Sequence, residues 1–131
     1  MFRTENQIMK IRNKCYNNLM DLTKHLVDVG LSKSPLGSLD NYCIDLHKHR
    51  VILVNREGPV RLDVYKKGLF GFTGKLLGGI EIRYPWLIGT DVIIIPYLFG
   101  KGTLAKFSGV PDYDTIEQCL DMIAPGWFPT Y

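Results

Sequence analysis

Apolar residues stand at Ile8, Ile11, Cys15, Leu19, Leu22, Leu26 and Val29, three or four positions apart, and from Asn41 onward they stand two positions apart. A period near 3.6 lays side chains along one stripe of a helix, whereas a period of two lays them on one face of a strand. The first stretch therefore predicts a long helix over about residues 5–29. Thr4-Glu5-Asn6-Gln7 fits a capping box at its start, and Gly30 followed by Leu31 supplies a left-handed stop.

The second stretch predicts a meander of strands. Tyr42, Ile44 and Leu46 alternate with Cys43, Asp45 and His47, and Val51-Ile52-Leu53-Val54 is a β-branched run. After the turn at Glu57-Gly58-Pro59, Val60, Leu62 and Val64 alternate with Arg61, Asp63 and Tyr65. Ile80, Ile82 and Tyr84 alternate with Glu81 and Arg83 until Pro85. Val92 to Ile95 form a further strand, which Pro96 places at an edge or bends into a bulge. Gly100-Lys101-Gly102 then turns into a short strand from Thr103 to Phe107. Pro111 precedes a last helix with a capping signal at Asp114 and Glu117 and an apolar face of Ile116, Cys119, Leu120 and Ile123, ended by Pro125-Gly126. The fold class is α+β: a long N-terminal helix, a five- to six-stranded, mostly antiparallel twisted sheet and a short C-terminal helix. The chain has 131 residues, the size of one compact domain, here spanning 1–131.

Several classes of function fall away. No apolar run approaches the roughly 20 residues that cross a bilayer, and the N-terminus turns polar at Arg3 rather than continuing as a secretory signal. The expectation is a cytoplasmic protein without a membrane partner. Cys15, Cys43 and Cys119 are odd in number and widely spaced, which suits reduced, buried thiols better than disulfides or a zinc site. Residues 41–107 carry ten lysines and arginines against five acids, whereas residues 108–131 carry four acids and no base. Such asymmetry steers association with charged partners.

Catalytic signatures are sparse. On a strand running through His49, Asp45, His47 and His49 would share one face, and two imidazoles with a carboxylate suit zinc or iron and can hold a general base. The bland alternative is a solvated strand face beside a turn. His25 stands alone in the first helix, as a structural residue would. The glycine-rich run from Leu69 to Gly79 is not a Walker A loop: Leu69 stands where the first glycine belongs and Leu76 replaces the serine or threonine. No dinucleotide fingerprint and no nucleophile elbow occurs. No cofactor or metal is implied.

Two binding readings remain. Arg61, Lys66, Lys67, Lys75, Arg83, Lys101 and Lys106 interleave with Tyr65, Phe70, Phe72, Tyr84 and Tyr97, as in proteins that hold single-stranded nucleic acid. Asp63 and Glu81 on the same strand faces oppose that reading. Against it stands the density of aromatic and aliphatic residues in turn-like segments: Leu69-Phe70-Gly71-Phe72, Tyr84-Pro85-Trp86-Leu87-Ile88, Tyr97-Leu98-Phe99 and Trp127-Phe128. Aromatics exposed together mark an interface, since aromatic anchors dominate binding energy. The expected function is a small protein-binding module that blocks or scaffolds a larger protein, as inhibitors, immunity proteins and antagonists do. Its candidate contacts are Phe70, Phe72, Trp86, Tyr97, Phe99 and Trp127, oriented by Lys66, Lys67 and Arg83. Nucleic acid is the alternative partner, an enzyme or metal protein using Asp45, His47 and His49 the lesser one. Homodimerisation through the Val92–Ile95 edge or the aromatic patch is a further option.

Overall fold

The computed structural model describes residues 2–28, 32–33, 41–45, 48–54, 60–83, 91–109 and 111–127. Helix α1 (Glu5–Asp28) begins at the capping box. The Thr4 amide donates to Gln7 Oε1 at 2.8 Å and the Gln7 amide donates to Thr4 Oγ1 at 3.2 Å, so two N–H groups at the helix end find partners. Ile8 and Cys15 are buried and Ile11 packs against the core, which is the stripe that the helical period defines.

The sheet is antiparallel throughout, in the order β1 (Ser32–Lys33), β2 (Asn41–Asp45), β3 (His49–Val54), β4 (Val60–Lys67), β5 (Thr73–Arg83), β6 (Ile93–Leu98) and β7 (Gly102–Thr103). A further two-residue strand, β8 (Phe107–Ser108), also pairs with β6. Among the described residues, five strands have five residues or more, and three short ones trim the edges. Helix α2 (Tyr113–Ile123) packs on β5 and β6, which completes an α+β architecture.

Cross-strand register explains the core. Leu53, Leu62, Ile80 and Pro96 form one row across four strands, and Val51, Val64, Gly78 and Leu98 form the next. These rows meet Ile116, Cys119, Leu120 and Ile123 of α2 and Cys15 of α1, so both helices cover the same face. Burial of each large aliphatic contributes about 1.5–3 kcal/mol, and the rows supply Val51, Leu53, Leu62, Val64 and Ile80 to the cluster. Gly78 is required where it stands, because a Cβ there would run into the Tyr97 carbonyl.

Three details differ from what the sequence leads one to expect. The cap of α2 is Asp112, not Asp114: its Oδ1 accepts from the Thr115 amide at 2.8 Å. Those hydrogen bonds hold the Asp112 carboxyl below the usual range. β5 is longer than the alternation at 80–84 implies, since it takes in most of the glycine-rich run and absorbs two register shifts against β4. The expected strand from Thr103 to Phe107 is split into β7 and β8. Pro96 accounts for the split, because its carbonyl accepts from the Leu104 amide on that side at 2.8 Å. A strand residue aims its N–H and C=O at the same neighbour, so the missing donor of Pro96 also faces the gap.

Candidate functional site

The β4–β5 hairpin outruns its neighbours. Gly78 with Leu98 is the last pair that β5 makes with β6, and His49 with Lys66 is the last pair of β3 with β4. Beyond Gly78 the ribbon continues to Phe72, about 20 Å further at a strand's rise per residue. A single turn of 3-10 helix, Leu69–Gly71, closes it. The Gly68 amide donates to the Phe72 carbonyl at 2.7 Å, and the Phe72 amide donates back to the Leu69 carbonyl at 3.3 Å. Arg50 on β3 reaches across β4, its Nη1 donating to Thr73 Oγ1 at 2.7 Å, which fastens the foot of the turn.

What this turn presents is apolar. Leu69 is 83% exposed, Phe70 95% and Phe72 69%. Phe70 also holds a left-handed backbone, with φ of 59°, a conformation that costs a residue with a Cβ about 1–2 kcal/mol. An aromatic kept both strained and in water at a hairpin tip gains nothing from its own fold. Behind the tip stand Lys66 and Lys67 on β4 and Lys75 on β5, and no acid occurs between Asp63 and Glu81. Lys48 precedes β3 and its carbonyl accepts from the Lys67 amide at 3.0 Å. The β6–β7 turn lies alongside, tied by the Phe99 amide to the Leu77 carbonyl at 2.9 Å, and adds Phe99 (69% exposed) and Lys101.

A second polar cluster lies on the sheet face opposite the core cluster. Asp63, Gly79 and Tyr97 form one row, with Arg61 and Glu81 in the row beside it. Because Gly79 has no side chain, the Tyr97 ring crosses its backbone toward β4; a Cβ there would lie 2.7 Å from the phenol oxygen. Burial, then the Asp63 charge, push the Tyr97 phenol above its usual range. Burial likewise raises the Asp63 carboxyl, against the opposing pull of Arg61, whose Nε donates to Asp63 Oδ1 at 3.0 Å. Arg83 pairs in the same way with Glu81, at 3.0 Å. Arg61 and Arg83 are thus each met by an acid two residues away on their own strand. The cluster ties the sheet together and offers phosphates no net positive surface.

The expected contact residues part company. Phe70, Phe72, Lys66 and Lys67 come together at the hairpin, with Phe99 on the adjoining turn. Tyr97 is half-buried across Gly79. Arg83 is at the far end of β5, paired with Glu81. Trp127 leaves the contact set: it is 1% exposed, fills the core beneath α2 and donates from Nε1 to Asp121 Oδ1 at 2.7 Å. Trp86 lies outside the described residues. Leu69 joins the set, and its place between Lys67 and Phe70 was the available signal; Lys75 and Lys101 join through register, which no local pattern reveals.

The Asp45, His47 and His49 trio does not share one strand. β2 ends at Asp45 and β3 begins at His49, with Asp45 opposite Arg50 rather than His49; His47 lies outside the described residues. His49 is buried, its Nδ1 has no hydrogen-bond partner, and burial followed by Lys66 and Lys48 holds its pKa below 6.5. Among the described residues no group of three potential metal ligands gathers. Burial pushes the Cys15 thiol up to about 11 and the Cys119 thiol up to about 12, so neither is a ready nucleophile. The Val92–Ile95 edge is covered, since β8 pairs with Ile93 and Ile94. Among the described residues no helix is long and apolar enough to cross a membrane. Compared with protein-family models, with curated proteins and with solved structures, the chain matches none.

Proposed function

We propose that the chain is a small protein-binding module that acts in the cytoplasm by docking its β4–β5 hairpin against a larger protein and covering the surface it seats on, as inhibitors, immunity proteins and antagonists do. One observation carries this reading: Leu69, Phe70 and Phe72 are exposed side by side on a tip whose backbone is closed by its own hydrogen bonds. Aromatic anchors of this kind supply most of the energy of protein interfaces, and a rigid anchor loses little freedom on binding. A nucleic-acid reading draws on the same lysines, but Arg61 and Arg83 are matched by Asp63 and Glu81 on the open face.

The test is affinity capture by the immobilised full chain from native lysate at moderate salt, with and without nuclease. One stoichiometric protein should remain after nuclease and be lost when Phe70 and Phe72 both become Ser. Loss of every partner on nuclease treatment, with nucleic acid in the untreated eluate, would overturn the proposal in favour of the basic surface. The two positions are exposed, so the double variant keeps its core, which a thermal melt verifies.

A further inference from the structure

We infer, taking the protein-docking reading as given, that the site receiving the hairpin is an apolar socket rimmed by carboxylates. The apolar half follows from the tip itself: Leu69, Phe70 and Phe72 point three large side chains into water. The charged half follows from what surrounds them. Lys66 and Lys67 stand on one strand and Lys75 on the other, with Lys101 on the adjoining turn, while the chain carries no acid from residue 64 to residue 80. Any rim that closes round the tip therefore meets ammonium groups from both strands. A neutral rim would strip water from them without return, and a basic rim would repel them.

Four of the chain's thirteen acids are grouped elsewhere. Asp112, Asp114, Glu117 and Asp121 all lie on α2 or its cap, with no base among them. The molecule is therefore polarised, and an acidic partner draws the hairpin toward itself during approach. A bilayer with anionic headgroups shares this charge but asks for apolar area without shape. The tip has a fixed shape: Phe70 is held left-handed, the Gly68 amide is bonded to the Phe72 carbonyl, and Thr73 is bonded by Arg50. A preformed protrusion matches a preformed concavity, and that decides for a protein.

The experiment places a photoreactive benzoylphenylalanine at position 72 of the full chain, irradiates it in host cells and sequences the adduct. The expected adduct is a protein peptide with Asp or Glu flanking its apolar crosslinked residue. Its yield should fall about tenfold or more in a Lys66→Glu, Lys75→Glu variant and recover with Lys66→Arg, Lys75→Arg. A protein adduct on a segment without nearby carboxylates, with a yield indifferent to charge reversal, overturns the acidic rim and leaves the docking reading standing. Adducts on lipid, together with co-sedimentation of the chain with phosphatidylserine–phosphatidylcholine vesicles but not with phosphatidylcholine alone, overturn both. So does the lack of any adduct above that of a probe placed at exposed Asn13.

Discussion

Along one ribbon the molecule treats apolar residues in two opposite ways. From Val60 to Val64 on β4, and from Gly78 to Arg83 on β5, the strands have neighbours on both flanks and helices against one face; Val60, Leu62, Val64, Ile80 and Ile82 are fully or almost fully buried. From Gly68 round to Phe72 the backbone hydrogen bonds stay within the tip, and Leu69, Phe70 and Phe72 stand in water. The residues are equally hydrophobic, so hydropathy does not set the difference. Neighbours set it. The inner half is explained by the fold it belongs to, whereas the outer half is explained only by something outside the chain.

The sharpest way to break this contrast is at Gly78. A methyl group there meets the Tyr97 carbonyl on the adjacent strand, so Gly78→Ala should cost about 3 kcal/mol in urea unfolding. An unchanged midpoint would mean that the inner half is looser than its register implies. A smaller effect is expected at the junction of the halves, where His49 is buried opposite Lys66. Its folded pKa lies below 6.5, so in acid the unfolded chain binds more protons than the folded one. Stability should therefore be full above pH 6.5 and fall as the pH drops below it, and His49→Phe should flatten that slope. A slope that survives the substitution would assign it to other groups. The smallest effect is expected at the tip: Phe70→Gly relieves a left-handed backbone and should raise stability by up to about 1 kcal/mol, read as a higher Tm. A loss of stability would show that the tip belongs to the core after all.

The sequence was most legible where one local rule acts alone. The capping box at Thr4 and Gln7 and the alternation of Val60, Leu62 and Val64 read directly, because each involves residues within a turn or along a single strand. It was less legible where two distant segments decide together. Trp127 looks like a terminal aromatic until Asp121 and the core beneath α2 claim it. Asp45 and His49 look like ligands on one strand until the chain turns between them and sets Asp45 against Arg50. Asp112, with no glutamate three residues on, caps α2 better than Asp114 because Thr115 brings its amide to it. The hairpin lay between: Phe70 and Phe72 stood out by composition, while their exposure depends on where β3 and β6 stop, which is a matter of register.

The two register shifts between β4 and β5 bear on how this chain can change over generations. Alternation by twos means that one inserted residue turns every side chain beyond it to the other face, while two inserted residues restore the original aim. The shifts at Val64/Tyr65 and Tyr65/Lys67 lie between the core half and the tip, so they uncouple the two phases. The tip is therefore free to lengthen, shorten or trade its side chains by paired steps while the sheet beneath keeps its pattern. Descendants of this sequence should vary most in what the hairpin displays and least in the parity of its stem.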